Sequence, residues 1–152
     1  MQRSRAVRFA ALAALGLAMQ PAWTQDDPES WIKYRQGSMK ALGGHMAASA
    51  QLVRGKVAVE GHLAMHAQAI ADITRDLLAL FPEGSDFGET DAKESIWSDW
   101  DRFQELAEDS ARAADEMLQT VSAGDGQATG EAFKALGETC KACHKDFRLE
   151  EE

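Results

Sequence analysis

The chain has little of what most small folds use as staples. It holds two cysteines and three prolines in 152 residues, and a single tyrosine. Two cysteines exclude a disulfide-rich scaffold. With no second C-x-x-C, and with the other histidines far upstream, a four-ligand zinc site at the cysteines is not indicated either. The βαβ pattern that would make a C-x-x-C a thioredoxin-type redox motif is missing, as is a glycine-rich phosphate loop. Adjacent acids such as Asp26-Asp27, Glu108-Asp109 and Asp115-Glu116 face solvent rather than one another, so no paired-carboxylate hydrolytic site is indicated. Basic charge is scarce: 16 Lys and Arg against 25 Asp and Glu leave a formal charge of −9. That balance excludes nucleic acid and anionic membrane surfaces as partners.

What the chain does have is concentrated near its end, at Cys140-Lys141-Ala142-Cys143-His144. This is C-x-x-C-H, the attachment signature of a c-type haem. Positions i, i+3 and i+4 share one helix face, so both thiols and the imidazole point the same way. Cys140 and Cys143 can form thioethers to the two haem vinyl groups while His144 ligates the iron from the proximal side. One covalent haem c, and redox or ligand-binding chemistry at iron, are therefore expected. A catalytic role is not, because no distal histidine with a catalytic arginine is in evidence.

Residues 1–24 read as a cleaved secretory signal. Arg3, Arg5 and Arg8 precede an apolar run from Phe9 to Met19, followed by Pro21, Ala22 and Thr24. The run is too short for a permanent membrane span. The expected location is the periplasm, and residues 25–152 form one domain. That domain is three charge units more negative than the whole chain, since the leader holds those three arginines and no acid. An acidic surface favours solubility, and for a redox protein it suits a partner with a basic docking face.

The domain reads as all-α. Four amphipathic segments are expected, over about Pro28–Val53, Val57–Leu80, Asp91–Val121 and Gln127–Arg148. Asp27 with Pro28 makes a helix start, and Asp91 with Glu94 a capping-box-like one. Pro82, and Gly124-Asp125-Gly126, make breaks. An antiparallel four-helix bundle is the natural packing, with the cofactor between facing helices. Trp97, Trp100 and Phe103 are expected in the core or haem pocket.

A C-terminal C-x-x-C-H on the last helix of such a bundle resembles the class II c-type cytochromes, that is, cytochrome c′ and its low-spin methionine-ligated relatives. Ile32-Lys33-Tyr34-Arg35-Gln36, Arg54-Gly55, Glu94-Ser95-Ile96-Trp97 and the ending from Cys140 to Arg148 carry the resemblance, which spans the domain. Glu94-Ser95 departs from the family's usual Pro-Glu pair, and Phe147 replaces its commoner tyrosine. The resemblance implies that Arg35 and Gln36 contact the haem propionates and that Arg148 lies beside the proximal face. It also implies that some members dimerise through the first two helices. Ala41, Ala47, Ala48, Ala64, Ala67 and Ala71 would let helices approach closely there.

Aligned on Arg54-Gly55, Met39 falls at the distal position. If its sulfur ligates, the haem is low-spin and saturated, suited to one-electron Fe(III)/Fe(II) exchange with a redox partner protein. This is the expected function. If Met39 only packs over the iron, the haem is five-coordinate and takes small diatomic gases, nitric oxide or carbon monoxide. Met46 is the fallback ligand, and Met65 and Met117 rank below it. His62 and His66 stand at i, i+4, a spacing that can hold a metal but has no third ligand in view. His45 reads as exposed, and His66 as half-buried with one hydrogen-bond partner.

Overall fold

The computed structural model describes residues 27–150, so the expected leader at 1–24 lies outside the described residues. Four long helices are joined by one single-turn helix: α1 Pro28–Val53, α2 His62–Arg75, α3 Ser95–Ser98, α4 Trp100–Ala123 and α5 Gly126–Phe147. Their ends follow from local chemistry. Asp27 accepts a hydrogen bond from the Ser30 backbone N–H at 3.1 Å, with Pro28 at the first helical position. α4 stops at Gly124, whose φ of 72° is left-handed. One residue later Asp125 caps α5 through the Ala128 N–H at 3.0 Å. A tight turn of this kind returns the chain antiparallel to itself.

α5 packs mainly on α4, α4 on α2 and α2 on α1, while α1 and α5 meet least. The result is an antiparallel four-helix bundle, as expected, that gapes along one seam. Two apolar clusters fill it. One is rich in rings: Phe103 packs edge-on against Phe81, with ring centres 4.7 Å apart, and against Phe147 at 5.4 Å. Truncating the fully buried Phe103 to alanine is worth about 3–5 kcal/mol. The other cluster, around Ala67, Ile70, Ala71, Ala114, Met117, Ala132 and Leu136, is built from small residues that draw the helices together.

Four local expectations are corrected. The second helix begins at His62 rather than Val57, because Gly55 and Gly61 both take left-handed φ values and the chain turns between them. Beyond Arg75 it becomes a 3-10 turn, Leu77–Leu80. The third does not start at Asp91: Ala92 instead bridges Arg148, the Lys93 N–H donates to Phe147 O and the Leu149 N–H to Asp91 O. Pairing with the end of α5 displaces the local cap, and the helix starts at Ser95 and kinks at Asp99 before α4. Finally, Ala67 and Ala71 are buried in the bundle itself and cannot serve a dimer face, whereas Ala41, Ala47 and Ala64 are exposed.

Among the described residues no helix is long and apolar enough to cross a membrane.

Candidate haem site

The gaping seam is a cavity of about 730 Å³ between α1 and α5. That is large among small-molecule sites. Cys140, Cys143 and His144 line it from α5, and Arg35, Gln36, Met39 and Met46 from α1. Leu77, Phe81, Ile96 and Phe103 form its apolar floor. Thus Cys140, Cys143, His144, Arg35, Gln36, Met39, the fallback Met46 and Arg148 all reach one cavity. Met65 and Met117 do not. Met65 is exposed, and Met117 is wholly buried in the small-residue cluster.

The donor set fits a covalent haem. The two thiols stand one helical turn apart on the cavity side, with the imidazole beside the second. Gly43 on α1 and Gly137 on α5 also line the cavity, and a Cβ at either would meet no other atom within 4 Å. A flat ring system can therefore approach both backbones. Burial raises the pKa of the Cys140 thiol. Burial, then the Cys140 and Asp146 charges, pushes Cys143 up to about 11. Neither is the low-pKa thiolate that thiol–disulfide or zinc chemistry requires. Desolvation, helped by Arg148, lowers the His144 pKa and keeps its imidazole in the neutral form that ligates metal.

Arg35 is 3% exposed, and its guanidinium is occupied. Nη1 donates to Ser85 Oγ at 2.8 Å and to Leu80 O at 3.4 Å; Nη2 donates to Ser85 O and Thr90 Oγ1, both at 2.9 Å. It also lies over the Phe81 ring, 4.9 Å from its centre. Gln36 donates to Glu89 O at 2.7 Å. Both residues thus anchor the 82–90 loop, a duty the family resemblance did not suggest. The same strand of chain then reaches the other wall. Lys93 Nζ donates to the carbonyls of Lys145 and Asp146 at 3.2 Å, and Arg148 pairs with Asp91 at 3.6 Å. Residues 80–93 therefore strap α1 to the end of α5 past the cavity, whose lining includes Thr90, Asp91 and Ala92. In the sequence this segment shows only as the break at Pro82. The buried arginine on an apolar helix stripe was the one signal that something had to satisfy it.

The remaining histidines lie elsewhere. His45 is half-buried rather than exposed, and its Nδ1 sits 2.9 Å from His66 Nδ1. His66 has the single partner expected of it.

Comparison with known proteins gives cytochromes c′, and also cytochromes c-556, among the relatives. A family model described as Cytochrome C′ matches residues 30–148. Cytochrome c′ of Pararhodospirillum photometricum is 43% identical over 122 residues, covering 80% of this chain and 98% of that protein. That of Rhodospirillum rubrum is 38% identical over 125 residues, covering 82% and 85%. Among solved structures, cytochrome c′ from Rubrivivax gelatinosus matches with a TM-score of 0.76 at 28% identity, covering 81% of this chain and 98% of that one. A nitric oxide complex of a cytochrome c prime mutant from Alcaligenes xylosoxidans matches at 0.77 and 25% identity, covering 83% and 98%.

Proposed function

The chain belongs to the cytochrome c′ family, and on that premise we propose that it binds nitric oxide or carbon monoxide at a five-coordinate haem. The cofactor is haem c, covalently attached, one per chain. When bound, it would supply an iron that takes a diatomic ligand. Cys140 and Cys143 would tie it to α5, and His144 would be its histidine ligand. Gln36 and Arg148 line the cavity beside the strap and would meet the propionates, while Arg35 would serve them through the loop it anchors.

The observation that carries this reading is how Met39 is held. Its side chain packs against the ring-rich cluster as part of the apolar wall. A flexible thioether so placed excludes water and anions and yields to a small neutral gas. The nitric oxide complex of the Alcaligenes relative agrees with it. Electron carriage is the second reading, favoured by Met39 and His144 lining one cavity from two helices. A periplasmic location rests on the leader at 1–24. We read the protein as a binder and not an enzyme, because among the described lining residues His144 is the sole histidine.

The test is the absorption spectrum of the holoprotein, ferric and ferrous, with and without carbon monoxide. A high-spin spectrum that shifts on carbon monoxide is expected. Met39→Ala should keep that spin state and speed ligand entry roughly tenfold, or about 1.4 kcal/mol of barrier. A low-spin spectrum with a sulfur-to-iron band, lost in Met39→Ala, would overturn gas binding in favour of electron carriage.

A further inference from the structure

Of the chain's four histidines, one faces the haem cavity, and the other three gather on the far part of α1 and the start of α2. His62 and His66 are one turn apart on α2, their ring centres 6.4 Å apart. His45 comes across from α1 to set its ring centre 5.1 Å from that of His66. The i, i+4 pair that lacked a third ligand in the sequence acquires one in the fold.

From this juxtaposition we propose that His45, His62 and His66 form a second metal site, for a divalent ion of the zinc, copper and nickel class. Imidazole is the ligand these ions share, and Cu²⁺ should bind more tightly than Zn²⁺ or Ni²⁺. The distances support it. Two nitrogens each about 2.05 Å from one tetrahedral ion lie about 3.3 Å apart, and about 2.9 Å apart at a right angle. The Nδ1 atoms of His45 and His66 already stand 2.9 Å apart. The ion takes the place of the proton those two nitrogens share; that proton moves through solvent to the Nε2 of its own ring, so both imidazoles stay neutral.

As they stand, the three rings are not closed into one coordination shell. His62 closes it. Its side chain is exposed and makes no hydrogen bond among the described residues, so a rotation about its own χ angles brings it to the ion without disturbing packing. Burial, followed by the His45 and His62 charges, holds His66 below the usual histidine range, in the neutral form a metal needs. Water completes the shell on the exposed side. The bound ion would tie α1 to α2 beside the 54–61 turn that connects them.

The test is titration of the haem-loaded full chain with Zn²⁺ alone, followed by calorimetry. One ion per chain is expected, with the haem spectrum unchanged. His45→Gln, His62→Gln and His66→Gln should each weaken binding about tenfold or more. Zn²⁺ should raise the Tm of the parent protein and not that of His45→Gln. If a half-buried variant fails to fold by circular dichroism, the exposed His62→Gln decides alone. No saturable binding, or equal binding by parent and His62→Gln, would overturn the proposal.

Discussion

On the α5 wall of the cavity, the three groups that grip the haem come from one and a half turns of a single helix, Cys140 to His144. On the α1 wall, the lining groups run from Arg35 to Met46, and two of them are held by a loop some fifty residues further on. The first wall is a matter of spacing along one helix, and its geometry would survive in an isolated peptide that was helical. The second exists only when the strap is closed. On the reading proposed above, covalent chemistry would sit on the wall that folds locally, and selectivity for what reaches the iron on the wall that the whole bundle assembles.

The contrast can be broken at either side, and the largest effect is expected on α5. Cys143→Ala removes one thioether and His144→Ala the proximal ligand. We expect Cys143→Ala to lower haem retained under denaturing conditions and His144→Ala to abolish the parent spectrum, both read by haem stain and absorption. Next comes the α1 wall. Arg35→Ala strips a buried guanidinium from Ser85, Thr90 and Leu80, and the Ser85 and Leu80 carbonyl oxygens lose that donor. A loss of about 2–4 kcal/mol in urea unfolding of the holoprotein is expected, with haem still attached. Equal loss of haem in Arg35→Ala would mean that the walls are not separable.

A smaller effect sharpens the view of the strap. Lys93→Ala frees the Lys145 and Asp146 carbonyls at the end of α5, where a cation is also favoured by the helix dipole. About 0.5–1 kcal/mol should be lost, with hydrogen exchange at residues 91–93 rising before that of α5. The smallest effect is at Asp27. The Ser30 hydroxyl and backbone N–H hold its carboxyl below the usual 3.8. Its contribution is therefore present above that value and lost as the pH falls through the lower folded one. Asp27→Ala should lower Tm slightly at neutral pH and flatten the acid limb of a Tm-versus-pH curve.

How far the chain could be read depends on how local each feature is. The α1 bounds, Pro28 to Val53, follow from a cap, a proline and a glycine that act within a few residues. The α5 motif is equally local. The start expected at Asp91 failed although its capping-box signal was present, because the end of α5 offered those backbone groups better partners. Arg35 bonds Ser85 and Thr90, fifty residues and more away, and no periodicity reveals those partners. His45 looked solvent-facing on its own helix and proved to be the neighbour of His66 on the next.

From sequence alone the chain is helical and sets Cys140, Cys143 and His144 on one helix face, the pattern that attaches a single haem c. Those features rest on residue spacings of three and four and on single-turn caps, whose energetics do not need the rest of the molecule. Only the tertiary structure decided that residues 80–93 strap the cavity, that Met39 packs into its wall, and that three histidines meet between α1 and α2. Each of these joins side chains about twenty to fifty residues apart, and such contacts form only once the bundle has closed the intervening loops.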